Sequence, residues 1–205
     1  MRNNRFFTAV PNTLSARKSA DHGMNFPSAS KRATFPAIAI ALLAAPPPHA
    51  RAEVSEYELK AAFLSRFAEF VTWPGKAFSG PGAPIVIGVL GDDPFGGALE
   101  REVKGKTVSD RKVVIRRVRS IEDLKSCHIA FISNSERSRF GEVVASLGGA
   151  NVLTVGDTEQ FAQQGGAIGF KMMGAAVRFE INNGAAQRAG LGLSSRLLKL
   201  GRGSQ

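Results

Sequence analysis

The sequence predicts an α/β fold, a mainly parallel sheet flanked by helices, with a C-terminal β-hairpin edge and a final helix. Three observations predict it. Short apolar runs, led by IVIGVL at 85–90, are continuous rather than alternating, as strands buried on both faces require. Segments of helical character separate those runs. Two alternating runs near the C-terminus, 167–172 and 176–181, are joined by only three residues and read as a hairpin.

Residues 55–73 (SEYELKAAFLSRFAEFVTW) have helical periodicity. Phe63, Phe67, Phe70 and Val71 share a stripe, widened by Leu59, Leu64 and Ala68, while Glu56, Glu58, Lys60, Arg66 and Glu69 supply polar positions. Ser55 with Glu58 three residues on forms a capping-box pattern, and Pro74 ends the helix. A Gly/Pro-rich loop leads to the 85–90 strand. Gly91, Asp92, Asp93 and Pro94 turn the chain into a helix running to about Val103. A second strand is expected at 113–115, a short helical turn after Ser120, and a third strand at 128–132. Ser135 is expected to cap a helix to about Leu147. A fourth strand at 151–155, a short helix at 158–164, the hairpin and a helix over 183–200 complete the chain, a Rossmann-like sandwich in a single domain.

Ahead of this domain, residues 1–52 read as an export signal. FPAIAIALLAA at 35–45 is apolar, Lys31 and Arg32 precede it, three prolines follow, and Ala50 and Ala52 stand at the −3 and −1 positions of a cleavage site. Eleven apolar residues are too few to cross a bilayer, which takes about 20. A start at Met24 would give the signal an ordinary length. Cleavage would leave 53–205 as a periplasmic, soluble domain without membrane insertion, and no cysteine near the cut allows a lipid anchor.

Removing the signal changes the charge. The chain is +10, but seven of its 27 basic residues and one of its 17 acidic residues lie in 1–52, leaving 20 and 16 and a net +4. That is an ordinary solubility charge and implies no nucleic-acid partner. Arg111, Lys112, Arg116, Arg117 and Arg119 read as a solvated strand edge.

The residues offer little catalytic chemistry. His128 is the one histidine beyond residue 52, and on a strand it points away from its neighbour Cys127, so the two share neither a thiolate–imidazole pair nor a metal. The stretch after the first strand lacks G-x-G-x-x-G spacing, and Asp92 and Asp93 would repel a pyrophosphate. No cofactor and no metal is implied. Gly91, Asp92, Gly156 and Asp157 fall at C-terminal strand ends, where open α/β sheets bind ligands, and mark a candidate small-ligand pocket; Asp157 also reads as a helix cap, and Asp92, Asp93 and Asp157 as a hydrolase's carboxylates.

Several segments together resemble the YfiR family of periplasmic proteins. They are KAAF from Lys60 continuing to FVTWP at 70–74, IVIGVLGDDPF, HIAFIS, LTVGD, GAIGF, VRFEIN and LGLSSRLLKL, in order over about 57–200. The resemblance implies a non-enzymatic regulator that binds the periplasmic region of an inner-membrane diguanylate cyclase or similar sensor enzyme and represses it, with consequences for cyclic di-GMP and biofilm. It also implies a possible homodimer. The best-known member uses disulfides in redox control, whereas this chain has Cys127 alone, so no intramolecular bridge can form. Lys60, Trp73, Arg178 and Asn182 are the candidate partner-binding residues. Asn182 also reads as the cap of the last helix, and Arg178 as facing away from Val177 and Phe179. The other reading is a periplasmic small-ligand-binding module without a cyclase partner.

Overall fold

The computed structural model describes residues 55–174 and 176–202. The chain divides into two units, 1–49 and 50–205, and the described residues lie in the second. The export signal falls outside the described residues.

Nine strands and six α-helices follow one another within that span. They are α1 (Glu56–Phe67), β1 (Val71–Thr72), β2 (Ile85–Leu90), α2 (Ala98–Val103), β3 (Thr107–Val108), β4 (Arg111–Val118), α3 (Ile121–Leu124), β5 (Ile129–Ile132), α4 (Phe140–Ser146), β6 (Leu153–Gly156), β7 (Ile168–Met173), β8 (Ala176–Ile181), α5 (Asn183–Arg188), β9 (Gly192–Leu193) and α6 (Ser195–Arg202). The main sheet has the order β3-β4-β2-β5-β6-β7-β8. Strands β4, β2, β5, β6 and β7 are parallel, and β3 and β8 pair antiparallel at its two ends. The expected α/β fold with a hairpin edge is therefore present.

Every residue of β2, β5 and β6 is buried, which explains their unbroken apolar runs. One face carries Ile85, Ile87, Val89, Phe131, Val155 and Phe170, packed under α1, α2, α5 and α6. The other carries Val86, Leu90, Ala130 and Ile132, packed under α3 and α4. The α1 face is rich in rings: Phe63 and Phe67 lie 5.5 and 5.4 Å, edge-on, from Phe179.

Local signals fix several boundaries. Ser55 and Glu58 close the capping box at the start of α1. Asn182 caps α5 by accepting from the Ala185 N–H. Other boundaries differ from the sequence expectation. The first helix stops at Phe67, and Val71–Thr72 instead pairs antiparallel with Leu193 and Gly192. The final helix is two helices broken by Gly190, whose φ of +76° suits glycine. Residues 158–164 form turns, not a helix. Ser133, not Ser135, caps the 3-10 helix Asn134–Arg139 that precedes α4. Lys60, expected on the polar side of α1, is 3% exposed.

Candidate functional site

The C-terminal ends of the parallel strands are where ligands enter open α/β sheets. Strand order switches between the parallel neighbours β2, whose successors lie on one side, and β5, whose successor lies on the other. Gly91 stands at that point with φ +86°. A Cβ there would strike the side chains of Ser135 and Glu136, so the crevice is filled from within. Asp92 closes it further by donating its N–H to Ser135 Oγ at 3.0 Å. Asp93 accepts from the Phe95 N–H at 2.8 Å and from Arg117 Nε at 2.7 Å. Beside Gly156, the ring of Phe161 takes the space a Cβ would need.

Asp157 directly follows β6 and turns towards α1, the opposite face from Gly156. Lys60 Nζ donates to Asp157 Oδ2 at 2.9 Å, and the Tyr57 hydroxyl donates to the same oxygen at 2.9 Å. Lys60 also pairs with Glu56 one turn back at 2.5 Å, and its ammonium sits 4.4 Å from the Tyr57 ring centroid, a cation–π distance. The Lys60 and Asp157 side chains are each 4% exposed. Burial lowers the Lys60 pKa, but hydrogen bonds to Glu56 and Asp157, with the Asp157 charge, more than offset it, and the net direction is up. Burial, then the charge and hydrogen bond of Asp157, raises Tyr57. Asp157 therefore clamps α1 to the end of β6 rather than capping a helix. Its second oxygen, Oδ1, and the neighbouring Thr158 Oγ1 are buried without a hydrogen-bond partner.

His128 lies at the other end of the sheet. The Val86 N–H donates to its Nδ1 at 3.1 Å, which leaves the ring neutral with its proton on Nε2. That nitrogen is buried without a hydrogen-bond partner. Burial pushes the His128 pKa below its usual range, and the Arg111 charge adds to the effect. Phe78 stacks on the ring at 4.6 Å, Trp73 meets it edge-on at 5.9 Å, and Arg111 covers the other side of Phe78 at 3.8 Å. This is a structural histidine in an aromatic stack.

Cys127 is buried against Gly88, where a Cβ would lie 2.7 Å from its sulfur. Burial raises its pKa, so the reactive thiolate is suppressed. The folded chain is expected not to react with a thiol-specific reagent such as Ellman's until denaturant exposes one thiol per chain. Rapid labelling of the native chain would put the thiol at the surface.

The four candidate partner residues lie in different settings. Lys60 is held inside by Asp157 and Glu56. Asn182 is used twice, accepting from Ala185 N–H and donating to the Ala162 carbonyl. Trp73 is half-buried and donates its indole N–H to the His128 carbonyl at 3.3 Å. Arg178 is exposed on β8, near the exposed Met172 and Met173 of the hairpin. Three members of the basic group have partners in the domain, Arg116 and Arg117 from exposed positions: Arg111 donates to the Gly80 and Ala83 carbonyls, Arg116 to Ser126 Oγ, and Arg117 pairs with Asp93 and Glu100. The sequence reading missed Tyr57 as a partner of Asp157. Tyr57 and Lys60 stand one turn apart on a helix, a spacing that puts them on one face.

The fold and these groups define an α/β domain in which Lys60 is paired with Asp157 and His128 accepts from the Val86 backbone. Residues 57–202 match the family described as YfiR/HmsC-like, and the chain belongs to that family. Among curated proteins, none matches the chain in sequence. Among solved structures, an ABC domain in complex with L-Trp from Streptococcus pneumonia aligns at 15% identity with a TM-score of 0.44. The alignment covers 68% of this chain and 60% of that one, so this chain spans less than two thirds of that protein, and the likeness is too distant to bear on function. Among the described residues, no helix is long and apolar enough to cross a membrane.

Proposed function

We propose that the chain is an exported, periplasmic, non-catalytic regulator that binds the periplasmic region of an inner-membrane diguanylate cyclase, or a similar sensor enzyme, and holds it inactive. Membership of the YfiR/HmsC-like family over 57–202 carries this reading. The side chains are in keeping with it: Lys60, one oxygen of Asp157 and one ring nitrogen of His128, groups a catalytic site would draw on, are taken up by internal contacts. In this reading residues 1–52 direct export and are removed.

Deleting the gene tests it. Cellular cyclic di-GMP, measured by mass spectrometry, is expected to rise and to return when the gene is restored; an unchanged level overturns the proposal. Of the candidate contact residues, Arg178 is the one that is exposed and charged, beside the exposed hairpin methionines. Restoring the gene with Arg178→Glu is expected to leave cyclic di-GMP close to the deletion level, because reversing one charge at an interface disfavours the partner. Full repression by that variant, at normal protein abundance, would remove Arg178 from the contact.

A second reading, a periplasmic small-ligand-binding module without a cyclase partner, is favoured by one observation: an open polar cavity at the strand ends.

A further inference from the structure

The main sheet ends at β8, which pairs with β7 and with no further strand among the described residues. Asn182 donates its N–H to the Ala167 carbonyl at 2.8 Å, so Ala167 and Asn182 form a hydrogen-bonded pair. Such pairs alternate along an antiparallel ladder, and the register places the next ones at Gly169–Glu180, Lys171–Arg178 and Met173–Ala176. The N–H and C=O groups of Val177, Phe179 and Ile181 therefore point away from β7. Among the described residues, no strand, helix end or side chain takes them up. Helix α6 meets β8 through Gly201 against the Ile181 side chain, on the α1 face, and leaves that row of backbone groups unpaired.

Open strand edges are ordinarily blunted by charge. At the other end of the sheet β4 has that protection beyond its short pairing with β3. Lys112 and Arg116 are exposed on one face of the strand, and a second copy pairing there would meet like charge. The edge at β8 differs. Val177, Phe179 and Ile181 face α1, while Arg178 and Glu180 lie on the opposite face, two residues apart and of opposite sign. Glu180 pairs with Lys171 across the hairpin, and its carboxylate retains acceptor capacity for a second donor.

We infer that β8 pairs antiparallel with β8 of a second copy of this chain, about a two-fold axis at Phe179. The middle of the strand offers Arg178, Phe179 and Glu180 as centres for such a pair. Centring on Arg178 sets that guanidinium opposite its own copy, and centring on Glu180 does the same for the carboxylate; like charges directly opposite are destabilising. Centring on Phe179 places Arg178 of each copy opposite Glu180 of the other, on both sides of the axis, and Val177 opposite Ile181. The Val177–Ile181 and Phe179–Phe179 pairs then exchange the backbone hydrogen bonds that β8 leaves unmade. Arg178 and Glu180 fall at non-hydrogen-bonded pairs, where side chains approach most closely. The contact is isologous and closes on itself, so it ends at two copies. The family resemblance implies that copies can associate; the strand, its register and its ion pairs come from β8 itself. The pairing concerns the chain alone and does not rest on cyclase regulation.

Sedimentation velocity of the purified full chain over a wide concentration range tests it. The parent is expected to sediment as a dimer at the upper end of that range. Arg178→Glu and Glu180→Arg are each expected to weaken self-association about tenfold, because both opposed pairs become like-charged. Mixing the two variants is expected to restore association, since the charges of each then complement those of the other. Hydrogen exchange of the parent gives a second measurement that needs no variant. The Val177, Phe179 and Ile181 amides are expected to gain protection as concentration rises, whereas those of Arg178 and Glu180, bonded to β7, are not. A parent that stays monomeric throughout, a mixture no more associated than either variant, or exchange at the three amides unslowed at the highest concentration overturns the proposal.

Discussion

Replacing Lys60 with Met is expected to lower the unfolding free energy by about 3–5 kcal/mol, the usual loss when one partner of a buried ion pair is removed. The substitution leaves Asp157 buried with one donor, the Tyr57 hydroxyl, for two oxygens, one of which already lacks a partner. Its cost arises less from attraction forgone than from a carboxylate stranded away from water. The double variant Lys60→Met with Asp157→Asn is therefore expected to be more stable than Lys60→Met alone, since the amide carries no charge and still accepts from Tyr57. Denaturant unfolding of the four chains in that cycle measures the coupling, and a Lys60→Met midpoint equal to the parent's would show that the pair does not hold α1 to β6. The pH dependence has a definite sign. Folded Lys60 binds its proton more tightly than the unfolded amine, so its contribution is complete below about pH 10.4 and fades as pH rises through the folded value. Tyr57 shifts the same way, and alkaline instability is expected to set in from the upper end of that range. Tyr57 is the chain's one tyrosine, so phenolate absorbance reports it alone. Its midpoint is expected above 10 in the parent and closer to 10 in Asp157→Asn.

The same cluster shows what a linear reading can see. The capping box at Ser55, the continuous core run of β2 and the hairpin were legible because each is decided by residues close in sequence. Lys60 was not. A lysine on an amphipathic helix reads as solvated, and the carboxylate that lets it be buried is 97 residues away. Its position in α1 nevertheless carries a trace: Lys60, Leu64 and Phe67 recur at the spacing of one helix face, and all three are buried. Val71 and Thr72 continued the helical pattern of α1 and became a strand only because β9 pairs with them from the far end of the chain. Gly91 and Gly156 were legible as special positions but for the wrong neighbour. A glycine marks close approach, and sequence cannot tell a ligand's approach from that of a side chain.

Phe161 is expected to show the second large effect: Phe161→Ala should cost about 3–5 kcal/mol, as for other large aromatic truncations in cores. The ring is 1% exposed and lies in a slot whose walls are Gly156 at the end of β6 and Gly166 ahead of β7, each so close that a Cβ would overlap the ring. Phe140 of α4 packs against it with centroids 4.5 Å apart. This is why residues 158–164 do not form a helix despite their composition: the segment must drive its one large side chain into the sheet, and the turns around Gln160 do so. The slot makes a second prediction that a generic core would not. Gly156 does not have a positive φ, so Gly156→Ala is permitted by the backbone and fails only by collision with the ring, at a cost of about 1–3 kcal/mol from overpacking. In a Phe161→Ala background the obstacle is gone, and the added methyl fills part of the void. Gly156→Ala is then expected to be neutral or stabilising, a reversal visible as a coupling energy of about 0.5–3 kcal/mol in a denaturant cycle. Additive losses would mean that the ring does not occupy the slot. The reversal would establish that the glycine at the end of β6 is set by Phe161 and not by an approaching ligand.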